Sequence, residues 1–176
     1  MTDPNNHGLS SAAQRQLLEY WQKICRERRM PTRQDLNPLA IKELLPGICM
    51  YDVIREKKLG SDYLNFKARL VGTDIVDTIG KDFTGSLTGE THNGPSCGLS
   101  GVERTLAKVT RHCTTAYETC FMDWPDKNYR RFSFIAMPLS LNGEVEQADI
   151  ILLGVHFFGY EEEIARSSDH LLPCQA

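Results

Sequence analysis

Three stretches of this 176-residue chain carry residue types at spacings that chemistry uses. Gly94-Pro95-Ser96-Cys97-Gly98 has the G-x-S-x-G spacing of a nucleophile elbow, with His92 just upstream, and would imply an activated serine. Gly72 and Gly80-Lys81 flank a short helical pattern at the end of an apolar strand, as a phosphate-binding loop would. Six cysteines, Cys25, Cys49, Cys97, Cys113, Cys120 and Cys174, with His112 beside Cys113, raise metal binding and disulfide pairing.

None of the three survives a check of its context. A nucleophile elbow needs a buried strand before it, whereas Thr88 to Asn93 is polar throughout and Pro95 beside the serine suits a loop. A phosphate loop needs G-x-x-x-x-G-K-[ST]; here seven residues separate Gly72 from Gly80, and Asp82 follows Lys81 where a hydroxyl is required. The cysteines form no C-x-x-C, and neighbours such as His112 and Cys113 do not face each other on a helix. Arg69, between apolar neighbours, can pair with Asp52 or Glu118 across strands, which reads as a structural ion pair. The expectation is a protein that is not an enzyme, with no catalytic residue and no metal ligand. Any cofactor stays unassigned.

Bulk composition narrows the class further. The chain is 41% hydrophobic and 24% charged with a formal charge of −3, an ordinary globular balance that argues against a nucleic-acid binder. The one basic cluster, Lys23 to Arg29, falls at the end of a helical pattern, where cations offset the helix dipole. No apolar run is long enough to span a membrane, and MTDPNNHGLSSAAQ lacks the basic start and apolar centre of a secretory signal. A cytoplasmic protein without membrane contact is expected.

The periodicity of apolar residues supplies the framework. Ser10 or Ser11 can cap a helix to about Arg29 with Leu17, Leu18, Tyr20, Trp21, Ile24 and Cys25 on a broad apolar stripe. Asn37-Pro38 opens a short apolar helix closed by Pro46-Gly47. From Ile48 the period becomes two, giving one strand to about Arg55 and another from Tyr63 to Val71 with Phe66, Ala68 and Leu70 on its core face. Thr73 or Asp74 then caps a short helix, and Gly80 is placed to end it in the left-handed conformation. Ser100-Gly-Val-Glu103 reads as a capping box ahead of Val102, Leu106, Val109 and Cys113. Three strands follow: Thr115 to Trp124, Tyr129 to Leu141, and Ala148 to Tyr160. Hairpin turns fall at Pro125–Asn128 and around Asn142-Gly143. Ile150 to Phe158 is apolar on both faces, so that strand belongs in the middle of a sheet covered on both sides.

This element order resembles the PAS fold. The wording is similar to a bacterial family of small, mostly stand-alone PAS-like domains, largely uncharacterised, through Leu18-Glu-Tyr-Trp21, Met30-Pro-Thr-Arg33, Asp35-Leu-Asn-Pro38 with Leu44-Leu-Pro46, and Phe66-Lys-Ala-Arg-Leu-Val-Gly-Thr73 followed by Gly80-Lys-Asp-Phe-Thr-Gly85. The resemblance covers roughly residues 15–160 and implies an α+β fold: five antiparallel strands in order 2-1-5-4-3, helices on one face, and an additional N-terminal helix. The chain then divides into a disordered start (1–9), an N-terminal helical extension (10–46), a PAS-like core (47–160) and a C-terminal tail (161–176). The cysteine motif of flavin-photosensing relatives is missing, and His112 reads as a satisfied or exposed residue rather than a haem ligand.

The functional expectation is a sensory or regulatory module that binds a small molecule between sheet and helices and signals through protein contacts. The alternative is a ligand-free dimerisation or interaction module. Phe66, Ala68, Leu70, Ile75, Ile79, Leu106, Val109, Phe121 and Phe134 are expected to line the cavity. Leu17, Tyr20, Trp21 and Ile24 are expected at an interface between two copies, because large amphipathic aromatics carry much of the energy at such surfaces. A homodimer and an unknown signalling partner complete the reading.

Overall fold

The computed structural model describes residues 9, 11–58, 61–88, 99–122, 130–143 and 147–159. Helix α1 (Ala12–Cys25) begins where Ser11 Oγ accepts the Gln14 amide at 3.1 Å, and its stripe of Gln14, Leu17, Leu18, Trp21 and Cys25 is buried. It stops four residues short of Arg29 because Arg26 turns into the left-handed region (φ 56), while the Arg28 guanidinium donates to the carbonyls of Ile24 and Cys25. Leu9, expected to close a disordered start, is itself buried in the core.

The apolar helix expected after Asn37-Pro38 is instead a chain of 3₁₀ turns, Pro38–Ile41 and Leu45–Gly47, preceded by Arg33–Asp35. Pro46 has no N–H to extend a helical ladder, and short 3₁₀ pieces are the usual outcome in such segments. The Asn37 side chain does cap, accepting the Leu39 amide at 3.0 Å.

Five strands follow the expected order, β2-β1-β5-β4-β3, all antiparallel: β1 (Ile48–Lys58), β2 (Ser61–Val71), β3 (Ala116–Met122), β4 (Arg130–Leu139) and β5 (Ile150–Phe157). Within the described residues β3 begins one residue later than expected, β4 ends two residues earlier and β5 runs only from Ile150 to Phe157; the turn at Pro125–Asn128 lies outside the described residues. β5 is central, and Ile150 to Leu153 are at most 3% exposed. Between β2 and β3 lie α2 (Thr73–Ile79) and α3 (Leu99–His112). Gly72, not Thr73 or Asp74, is the N-cap of α2, and Gly80 ends it at φ 80 as expected. Gly72 is required by contact as well: a Cβ there would lie 2.2 Å from the Pro46 carbonyl oxygen. Since α3 is already under way at Leu99, Ser100 is inside the helix and is not its N-cap.

Cross-strand registers and hydrogen bonds fix the two faces of the sheet. Gln14 of α1 reaches Ser133 and Gly154, so the face with Ser133, Ile135 and Gly154 is the one α1 covers. Thr105 of α3 donates to Glu118, so the face with Glu118, its cross-strand neighbour Phe134, Val155 and Leu153 lies under α3. The sheet is thus covered on both sides, as the doubly apolar β5 requires.

Candidate functional site

The face beneath α3 is where the sequence reading put its ligand. Phe66, Ala68, Ile75, Leu106, Val109 and Phe134 all belong to one buried cluster, with Ile79 packed against its margin. Leu106, Val109 and Phe134 have no exposed surface at all.

Leu70 and Phe121 do not join this cluster. β2 carries one residue more than β1 between the pairs Met50↔Leu70 and Tyr51↔Ala68, so Arg69 is the extra residue of a β-bulge. The bulge reverses the alternation: Leu70 shares the face of Met50, and Val71, opposite Cys49, takes the inner position. Leu70 is left 38% exposed. Arg69, pushed outward, binds Asp52 at 2.8 Å, one of the two pairings expected of it. In β3 the alternation simply has the opposite phase: Glu118 and Cys120 point inward, and Phe121 is 64% exposed on the other face.

The residues expected at an interface lie on α1 as follows. Leu17 and Trp21 are buried by the chain's own sheet, and Trp21 Nε1 donates to the Pro138 carbonyl at 3.0 Å. The Tyr20 hydroxyl accepts the Asn37 amide at 2.8 Å and, with Ile24, is partly buried against the core. α1 therefore spends its apolar stripe within the molecule.

Polar groups outside the expected pocket lining sit on the inner face. Cys49 and Tyr51 alternate inward on β1 with Val53, at 2%, 6% and 9% exposure. Burial pushes the Cys49 thiol up to about 12, with Tyr51 opposing. Burial also raises the Tyr51 phenol well above its usual range, helped by Cys49 and by the Glu103 carboxylate on α3. On the other side of the interior Thr105 Oγ1 donates to Glu118 Oε2. Cys120, next to this pair, is pushed up to about 11 by burial and then by Glu118, with Arg104 opposing. Gly101 lets α3 rest on β3: a Cβ there would be 3.3 Å from Cys120 Sγ. The period-two phase of β1 could have shown Cys49 and Tyr51, since they alternate with Ile48 and Met50.

Chemically this arrangement offers protonated donors and one carboxylate among apolar walls. That suits hydrogen-bonded recognition and does not suit thiolate chemistry, which needs a lowered thiol pKa. Among the described residues no group of three or more His, Cys, Asp or Glu side chains is placed to hold a metal ion. His112 is exposed at the end of α3, where its carbonyl accepts from Arg29. The basic cluster has local work: Arg28 also pairs with Asp35 at 2.8 Å. Ser96, His92 and Cys97 lie outside the described residues. No described helix is long and apolar enough to cross a membrane.

A five-stranded antiparallel sheet in this order, roofed on one face by a short and a long helix, defines an α+β domain of PAS-like architecture. The family model for the PAS domain matches residues 9–152, and the chain belongs to that family. Its domains are in general sensory or regulatory modules rather than enzymes. No curated protein matches the chain at a significant level.

Proposed function

We propose that the protein is a sensory or regulatory module that takes a small molecule between the inner sheet face and helices α2 and α3, and passes its occupancy on through protein–protein contacts, including contacts with a second copy. The observation that carries this reading is the polar content of the interior. A packing core has no need of a buried phenol or of a half-buried carboxylate bound by a threonine, polar groups whose burial costs free energy unless they are hydrogen-bonded. Tyr51 and Glu118 would hold the polar atoms of the ligand, with Phe66, Ala68, Leu106 and Phe134 around its apolar part. Native mass spectrometry and an absorbance scan of the purified chain test it. A bound mass that disappears in Ala68→Trp is expected; a bare mass, with no thermal shift from a metabolite panel, would refute it.

A specific observation favours the second reading, a ligand-free interaction module: Leu106, Val109 and Phe134 are already fully covered by the chain's own atoms. On that reading Ala68→Trp would overpack the core and lower stability by about 1–3 kcal/mol, with no accompanying loss of a ligand.

A further inference from the structure

The outer side of α3 is a stripe of cations. Arg104, Lys108 and Arg111 recur at i, i+4 and i+7, so on a helix of 3.6 residues per turn they fall within about 60° of one another and run along about 10 Å of its length. All three are exposed, while Val102, Thr105, Leu106 and Val109 fill the opposite, buried side. The one acidic residue of the helix, Glu103, is half-buried on another flank, close enough to Tyr51 to raise its phenol. Arg29, exposed beyond the end of α1, extends the stripe, since its guanidinium donates to the His112 carbonyl at the end of α3. Among the described residues none of these four cations is in an ion pair, in contrast to Arg28, Arg55 and Arg69. The helix dipole accounts for Arg111, which lies in the last turn. It does not account for Arg104 and Lys108, whose like charges at i, i+4 weaken a helix.

We propose that this stripe is the docking surface for an acidic helical segment of a partner protein, one that carries carboxylates at the same i, i+4, i+7 spacing. Charge selects that class of partner. The chain is −3 overall, so the remainder, less these four positive charges, carries −7. A carboxylate-bearing segment is repelled by the net field of that remainder and drawn to the one strip of opposite sign, which steers its approach. A nucleic acid is charged along its whole length and would meet the negative remainder wherever it extended past the stripe. Docking on an anionic membrane needs apolar side chains beside the cations, and α3 has turned its own inward. Two helices lying side by side share one repeat, so all three cations of α3 can pair at once, and the two arginines add bidentate geometry.

The inference rests on the proposed function only for its protein–protein contacts, whose partner it names by class; it needs no ligand in the interior, so either can fail without the other. Fluorescence anisotropy on the full chain at low ionic strength tests it with two labelled, stapled helical peptides of equal composition. One carries glutamates at i, i+4 and i+7, and the other spreads the same glutamates around the helix. The first should bind about fivefold more tightly. Arg104→Glu with Lys108→Glu should weaken it about tenfold or more, with an unchanged circular dichroism spectrum. Lys42→Glu with Lys57→Glu makes the same change in net charge at exposed positions outside the stripe and should weaken it by less than about threefold. Equal affinity for the two peptides, or equal losses in the two double variants, would reduce the effect to net charge and overturn the proposal. Tighter binding of a single-stranded DNA oligonucleotide or of phosphatidylserine vesicles than of the first peptide, lost in Arg104→Glu with Lys108→Glu, would overturn it in favour of that other class.

Discussion

Replacing Gln14 by leucine isolates what fastens α1 to the sheet. Gln14 is 1% exposed, and its Nε2 donates to the Gly154 carbonyl at 3.0 Å and to the Ser133 carbonyl and hydroxyl at 3.2 Å. The Ser133 hydroxyl in turn lies 3.3 Å from Gln14 Oε1 as a donor. Leucine is close in volume, so the main loss is polar: the Ser133 hydroxyl, at 0% exposure, is left without these partners at a cost of about 1–3 kcal/mol. For a chain of this size about 2 kcal/mol lowers Tm by roughly 4–8 °C. Ser133→Ala alone, with Gln14 still bonded to two carbonyls, should cost about 1 kcal/mol. The double variant removes both partners and should cost less than the sum by about 1 kcal/mol. Urea unfolding followed by circular dichroism and tryptophan fluorescence measures the cycle, because Trp21 is seated on the same sheet face through Pro138. Additivity within about 0.5 kcal/mol would refute the clasp.

Other perturbations separate contacts that matter from those that do not. Gly72→Ala should destabilise by about 3 kcal/mol, because its Cβ meets carbonyl oxygens of Leu45 and Pro46 that belong to the backbone, whereas Gly159→Ala, with nothing within 4 Å, should stay within about 0.5 kcal/mol; thermal unfolding reads both. Phe134→Ala should cost about 3–5 kcal/mol and Leu70→Ser about 0.5 or less, a contrast that denaturant midpoints would show. Thiols raised to about 11 (Cys25), 12 (Cys49) and 11 (Cys120) hold about a hundredfold less thiolate, or lower still, than an ordinary cysteine, so mass-mapped iodoacetamide labelling at pH 8 should spare them until urea unfolds the chain. Hydrogen bonding from Thr32, and then Arg28, holds Asp35 below the usual carboxylate range. A lowered folded-state pKa contributes stability above the unfolded value and loses it as pH falls through the folded one, so the Tm gap between wild type and Asp35→Asn should be open at pH 6 and close below about pH 4.

Much of the fold was legible because strand and helix periods are local. The doubly apolar run Ile150 to Phe158 told of a central strand, and Gly80 told of a helix stop. The faces were harder to read, since one inserted residue inverts them. Nothing in Lys67-Ala-Arg-Leu-Val71 announces that Arg69 bulges, so alternation continued past it put Leu70 inside and Val71 outside. The phase of β3 was misjudged for a related reason: Cys120 and Phe121 are both apolar, and the contact that α3 makes with β3 through Gly101 and Thr105 decides which turns inward. Gln14 was hidden by its polarity. It extends the stripe of Leu17, Leu18 and Trp21 by one turn, yet a glutamine there reads as solvent-facing until Ser133 and Gly154 are brought beneath it.

A crystal structure of the protein as purified would test the central claim most directly, through the density between Tyr51, Glu118, Leu106 and Phe134. Density for a small molecule within hydrogen-bonding reach of the Tyr51 hydroxyl or the Glu118 carboxylate is the expected result. An interior closed by these side chains alone, unchanged after soaking with metabolites that bind in solution, would contradict it.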